Sequence, residues 1–436
     1  MEWSIILVLF GTFAVMLALS VPISFAIAIS TLITIGMTLP LESALTVVTQ
    51  KMASGLDNFA LLAIPFFILA GNIMNRGGIA MRLIALAKTL GAKLPGSLFH
   101  TNVLANMMFG SISGSAVASA AAMGGIMSPL QKKEGYDPEI SAAVNITSCP
   151  TGLLIPPSNT LIVYSLVSGG TSISALFLAG YLPGILMGLG IMVVAGTMAK
   201  RRRYPVENTP SCKEVLSKMI DALPSLSLIV IVIGGIIAGV FTATEASAIA
   251  VVYTLVLAMG IYKEVKLNEL PAIILESSVT TAIVLLLIGA SSGMSWAMAN
   301  ADVPYLIQDA LLAVSANPIV ILLFITLLLL IVGTFMDMTP AVLIFTPIFL
   351  PIVTELGVDP VHFGIMMTFN LCIGICTPPV GSALFIGCSV GGVSIDKVLK
   401  PMVPFFLALL VTLLMVTFIP DISLILPKTF LGYVPQ

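Results

Sequence analysis

The chain has 436 residues, of which 58% are hydrophobic and 9% charged, and its formal net charge is −2. A soluble domain carries about 25% charged residues, so this chain has too few polar groups to cover a water-facing surface and is read as a polytopic, all-α membrane protein. No basic tract resembles a nucleic-acid footprint, the cysteines show no CxxC pairing, and no HExxH or P-loop motif, intramembrane Ser–His set or paired Asp marks an enzyme.

The start, "MEWSIILVLF", lacks the basic n-region of a cleavable signal peptide and reads as the first span. Hydropathy places spans near 4–20, 22–38 and 57–74, the scaffold helices of the first half. The next apolar stretch, 97–129, is interrupted by "GSISGS", which fits the tip of a re-entrant hairpin. Its small residues Ser111, Ser113, Gly114 and Ser115 suit an ion or a solute, and they equally suit close helix packing. Stretch 140–168 contains Pro150, Gly152, Pro156 and Pro157. Each proline removes a backbone donor and clashes with the preceding turn, so this is a broken helix. Lipid offers no partners to the freed groups, and such a break belongs inside protein or beside a watery cavity. Carbonyls at the break suit Na⁺, and half-helix N-termini suit an anion. Span 175–199 then ends at Lys200–Arg203, and a polar linker follows over 200–221.

The second half offers scaffold spans at 224–241, 244–262 and 272–296. A second hairpin, 319–351, is interrupted by "GTFMDMT", a second broken helix, 361–390, carries Gly374, Pro378 and Pro379, and a last span covers 401–425. Asp337 falls at mid-membrane depth, where an ionised carboxylate costs at least about 2.5–3.5 kcal/mol. It is a site residue or a helix N-cap at the tip. Glu245 and Glu276 are expected near the membrane faces in structural roles, as are His100 and His362. Lys88, Lys93 and Arg82 read as inside-facing charges, and the cysteines as small packing residues.

A shift of 222 residues superimposes Pro129 on Pro351, Asp137-Pro138 on Asp359-Pro360, Gly152 on Gly374, Pro156-Pro157 on Pro378-Pro379 and Gly169-Gly170 on Gly391-Gly392. Chance would pair abundant Leu and Val rather than these residue types, so residues 1–199 and 222–436 read as repeats. The basic loop "QKKEGYD" corresponds to the acidic "VTELGVD", whereas the neutral "GGTSISA" corresponds to "GGVSIDKVLK" with Lys397 and Lys400. The positive bias has changed sides, so the repeats are inverted, with both termini outside the cytoplasm and the linker inside.

At "AIPFFILAGNIM", "LPGSLFHTNVLANMMFGSISGSAVAS", "YDPEISAAVNITS", "LIPPSN", "GTFMDMTPAVLIFTPIFLP" and "GICTPPVG" the chain resembles the large membrane subunit of TRAP (tripartite ATP-independent periplasmic) transporters, the DctM/SiaM type, over essentially its whole length. The resemblance implies an elevator-type secondary transporter of the bacterial inner membrane, coupled to two or more Na⁺ ions and using no other cofactor. It implies one Na⁺ site at Ser111, Ser113, Gly114, Thr151 and Gly152, and a second at Gly333, Thr334, Gly374, Cys376 and Thr377. The solute is expected near Ser115, Asp337, Thr339, Pro157, Ser158, Asn159, Pro379, Gly381 and Ser382. Implied partners are a periplasmic solute-binding protein (DctP/SiaP type), a small organic anion, membrane lipid and a four-helix small subunit (DctQ/SiaQ type). The small subunit is expected as a separate chain, since the first span here belongs to the repeat itself. The cargo class is a carboxylate: sialic acid, another sugar acid or a C4-dicarboxylate. The alternative is a self-sufficient Na⁺/carboxylate symporter of the wider ion-transporter superfamily.

Overall fold

The computed structural model describes residues 2–204, 211–315 and 317–435; residues 205–210, within the expected linker, lie outside the described residues. All regular structure among the described residues is helical, and eight helices are long and apolar enough to cross a membrane. The polytopic all-α class follows.

The chain opens with α1 (Glu2–Ala18) and α2 (Ile23–Gly36), which pack together. Residues 41–56, outside the expected spans, form a further helix, α3 (Leu41–Leu56), which buries only Ala44 and Val48 among the residues of its own length. A 3₁₀ turn at Phe59–Leu62, capped by the Asn58 side chain, leads into α4 (Ala63–Arg76). The short α5 (Ile79–Gly91) follows. The first hairpin is α6 (Ser97–Ser113) and α7 (Ala116–Lys133), and its tip turns at Gly114, whose φ of +62° favours a residue without a Cβ. The first broken helix comprises α8 (Pro138–Ser148), the single turn α9 (Thr151–Leu154) and α10 (Asn159–Val167), before the long α11 (Ile173–Arg202).

The second half runs α12 (Cys212–Ile237), α13 (Ala243–Leu255), α14 (Leu270–Asn300), α15 (Val303–Val314), α16 (Pro318–Phe335), α17 (Met338–Glu355), α18 (Pro360–Gly374), α19 (Ser382–Gly391), α20 (Ile395–Phe418) and α21 (Asp421–Leu431). The helix edges recur at the 222-residue spacing. Helices α7 and α17 start at Ala116 and Met338 and end at Lys133 and Glu355, and α11 and α20 start at Ile173 and Ile395. The Pro156–Pro157 and Pro378–Pro379 bonds are both cis. The spacing does not hold throughout, because α14 runs unbroken where the first half has α3, a turn and α4. The expected last span, 401–425, is also divided. Pro420 cannot continue a helix and disfavours helical backbone at Ile419, so α20 stops at Phe418 and α21 begins beyond.

Interlocking of the halves positions the site. The second half's α19 packs on α7 and α8 of the first, while α10 packs on α17. Two thiols pin the broken helices together: Cys372 Sγ donates to Pro150 O at 3.5 Å, and Cys376 Sγ to Ile146 O at 3.0 Å. Cys149 Sγ shares the Ile146 carbonyl at 3.3 Å. These cysteines fill space, as expected, and also supply hydrogen bonds between the halves.

The first hairpin carries a buried polar network that its counterpart lacks. Asn106 Nδ2 lies 3.1 Å from both Asn102 Oδ1 and Asn145 Oδ1 and 2.7 Å from Ser148 Oγ, and its Oδ1 accepts from Ser119 at 2.7 Å. At the positions 222 residues on from Asn102, Asn106 and Asn145 stand Phe324, Leu328 and Met367. An Asn106→Leu substitution keeps the volume but strands several buried partners, each costing about 1–3 kcal/mol. The expected result is a clear fall in the thermal unfolding temperature of the detergent-purified chain.

Candidate functional site

The two hairpin tips and the two broken helices meet at one cavity of about 380 Å³. The first tip contributes Ser113 to Ala118, the second Asp337 to Thr339, and the broken helices Leu153, Asn159, Thr160 and Val163, with Ile375 and Ser382. Its far wall comes from the scaffold: Ile64, Ile68, Asn72 and Asn75 on α4, and Glu276, Thr280 and Val284 on α14.

The first turns of α7, α10, α17 and α19 therefore all border one space. A helix start leaves four backbone N–H groups without intrahelical partners and carries about half a positive charge. At several other helix starts a side chain takes up such a donor, as Asp137 does at α8, Ser172 at α11, Thr242 at α13, Asn317 at α16 and Asp359 at α18, whereas α2, α3, α5, α6, α14, α15 and α20 have no side-chain cap. Around the cavity only α7 is capped this way, with Ser115 Oγ accepting from Ala118 N at 3.2 Å. Helices α10, α17 and α19 make no side-chain capping bond, and the buried Ser158 Oγ and Ser382 Oγ have no hydrogen-bond partner. Among the described residues, no basic side chain lines the cavity. Its means of attracting an anion is the set of helix N-termini.

Asp337 stands 222 residues after Ser115 and occupies the matching N-cap position of α17. Unlike Ser115, it makes no capping hydrogen bond, and it is exposed to the cavity. Its backbone thus holds the N-cap position of α17.

The residues expected at the first ion site divide between two places. Ser113 and Gly114 line the cavity, while Ser111, Thr151 and Gly152 lie deeper, where α6 crosses the break. There the backbones of Gly110 and Gly152 are in direct contact, and a Cβ on Gly152 would overlap the Gly110 carbonyl carbon. The hydroxyls of Ser111 and Thr151 donate to Met108 O and Ser148 O, which leaves their oxygens able to accept or ligate. The second half repeats this crossing with Gly333 against Gly374. Thr334 Oγ1 donates to Ile331 O at 2.7 Å and Thr377 Oγ1 to Ile373 O at 2.8 Å, close to that contact. Cys376 turns its thiol to Ile146 O of the first half, which leaves its backbone carbonyl as the group it could offer an ion.

Of the expected solute residues, Ser115, Asn159, Asp337, Thr339 and Ser382 line the cavity, and Pro157, Ser158, Pro379 and Gly381 do not. Pro157 faces an apolar recess with Phe67, Met74 and Leu228, Ser158 is fully buried, and Pro379 is exposed. Gly381 packs on the carbonyls of Ile375 and Thr377. The prolines shape the break, and the residues after them reach the cavity. The scaffold wall is the part that sequence reasoning missed. Its trace was the polar run Asn72, Asn75 and Arg76 in an otherwise apolar span. Glu276, expected at a membrane face in a structural role, lines the cavity.

A family model described as "Tripartite ATP-independent periplasmic transporter, DctM component" matches residues 10–422. The uncharacterized protein YgiK of Salmonella typhimurium is 63% identical over 98% of both chains. The Vibrio cholerae sialic acid TRAP transporter large permease protein SiaM is 39% identical over 88% of this chain and 90% of its own length. The isethionate TRAP transporter permease protein DctMQ of Oleidesulfovibrio alaskensis is 38% identical over 96% of this chain, which spans 65% of that longer protein. Among solved structures, the Alcanivorax borkumensis YdaH transporter shares the fold, with a TM-score of 0.65 at 12% identity over 86% of this chain and 88% of that one.

Proposed function

This chain belongs to the DctM component family of tripartite ATP-independent periplasmic transporters, a family of transport proteins rather than enzymes, and on that premise we propose that it is the large subunit of a Na⁺-driven importer of a small organic acid. The observation that carries this reading is the meeting of four helix N-termini, three without a side-chain cap, at one cavity that also holds Asp337. Uncapped N–H groups favour the anion. Hydroxyls and carbonyls at the Gly110–Gly152 and Gly333–Gly374 crossings favour one Na⁺ each. Named cargoes of relatives are sialic acid, isethionate, 2,3-diketo-L-gulonate and C4-dicarboxylates, all small anions.

In this reading residues 1–199 and 222–436 are oppositely inserted halves joined by a cytoplasmic linker at 200–221, in the bacterial inner membrane, with both termini periplasmic. The hairpins and broken helices move as an elevator unit against a scaffold built largely from α1–α4 and α12–α14. The scaffold residues at the cavity, Asn72, Asn75 and Glu276, lie toward the cytoplasmic ends of their helices in this orientation, which corresponds to an inward-facing conformation. The partners are a periplasmic solute-binding protein and a four-helix small subunit on a separate chain. This chain spans 65% of the length of the DctMQ relative.

Reconstitution tests the whole reading. Proteoliposomes holding the chain and its small subunit are supplied with binding protein loaded with labelled acid. Uptake is expected only with an inward Na⁺ gradient. Uptake by the chain alone, without binding protein, would replace this reading with that of a self-sufficient symporter.

A further inference from the structure

Among the described residues, the cavity has two carboxylates, Asp337 and Glu276, and no basic side chain of its own. At its rim, however, Arg76, the last residue of α4, donates from Nη2 to Glu276 Oε2 at 2.7 Å, between residues 200 apart in sequence. Both side chains are about half exposed, at 48% and 54%. A guanidinium carries five donors in a planar fork, and this contact is made through Nη2. Neighbouring groups extend the polar edge. Asn75 lines the cavity with a buried Oδ1 that has no partner, and Asn72, one turn earlier, is held by Ser277 Oγ at 2.8 Å. The position 222 residues on from Arg76 is Met298, which is 1% exposed. The guanidinium thus marks one mouth of the cavity and has no counterpart in the second half.

We infer that Arg76 is the scaffold residue that binds the anionic group of the solute, leaving Glu276 to do so, and that Glu276 holds the guanidinium in place while the cavity is empty. The inference rests on the organic-acid reading above. An acid entering this cavity adds negative charge beside two carboxylates, and the helix N-termini supply only partial charges against it. Arg76 supplies a full positive charge at the rim. Its planar fork matches a carboxylate through two parallel hydrogen bonds. The exchange also gives Glu276 a role beyond structure. It competes with the solute for one guanidinium and so sets how readily the acid is released on that side.

The test separates this role from simple neutralisation of Glu276. Thermal unfolding of the detergent-purified chain in Na⁺ is titrated with N-acetylneuraminate, succinate, isethionate and gluconate. Any acid that stabilises the wild-type chain is carried into the variants. Arg76→Gln should weaken apparent affinity about tenfold, the scale of a charge-assisted hydrogen bond. Glu276→Gln should tighten it, because the competitor is gone. Arg76→Lys, which keeps the charge and the ion pair but loses the fork, should remain weaker than wild type. The double variant should stay as weak as Arg76→Gln. Recovery of wild-type affinity in the double variant, or unchanged affinity in Arg76→Gln, would overturn the inference alone. If none of the acids stabilises the wild-type chain, the functional reading and this inference fall together.

Discussion

Asp337→Asn is expected to lower the proposed Na⁺-driven uptake by about 10- to 100-fold, the range of a hydrogen bond or ion contact made by a charged group. The substitution keeps the shape of the side chain and removes its charge, at the one carboxylate that the second hairpin tip presents to the cavity. If Asp337 served only to cap α17, a serine would serve as well, since Ser115 caps α7 from the matching position. Asp337→Ser therefore separates the roles. It should leave thermal stability near wild type or raise it through a new cap, worth about 1 kcal/mol, while transport stays low. A serine variant with wild-type uptake and unchanged Na⁺ dependence would assign Asp337 to the backbone alone.

Gly374→Ala is expected to abolish measurable uptake, with Gly152→Ala giving the same result. A Cβ on Gly374 would lie 2.5 Å from Gly333 Cα and 2.9 Å from its carbonyl oxygen, and the one on Gly152 would strike the Gly110 backbone. These obstacles are main chain, so no side-chain rotation can relieve them. The hairpin must part from the break. Overpacking of this kind costs about 1–3 kcal/mol or more, and here it also displaces the oxygens around each crossing. Gly125→Ala is the control, because nothing lies within 4 Å of a Cβ there. Uptake assays on all three variants, with size-exclusion profiles to confirm folding, decide the matter. Wild-type uptake by Gly374→Ala would show that this crossing tolerates separation and holds no ion.

The parts of the fold that were legible are those where sequence breaks its own habit. Glycine, proline and serine inside apolar stretches marked both tips and both breaks, and the 222-residue spacing of these rare residues carried over to the helix edges. Helices α3, α5, α15 and α21 left little trace, being too short or too amphipathic for a hydropathy window that looks for spans. In the site, Ser115, Asp337 and Thr339, legible as polar residues at the tips, and Asn159 and Ser382, implied by the family resemblance, share a cavity. Asn72, Asn75 and Thr280 were not named. A polar residue in a span announces that it has a partner but not where that partner is, and these meet the tips only through tertiary packing. Ser158 and Pro157 lie off this cavity for the related reason that neighbours along a bent backbone face different ways.

The thiol contacts between the halves have a mechanical consequence. Because Cys372 and Cys376 donate to carbonyls beside the other half's break, a shift of either broken helix disturbs the seam that joins it to its twin. Strain introduced at one glycine crossing is passed to the other, much as two wheels on one axle must turn together. Insults at the two crossings should therefore fail to add: once the first has tilted the seam, the second finds little alignment left to spoil. A fold so built resists half-measures, since the crossing on one side is held in register by the crossing on the other.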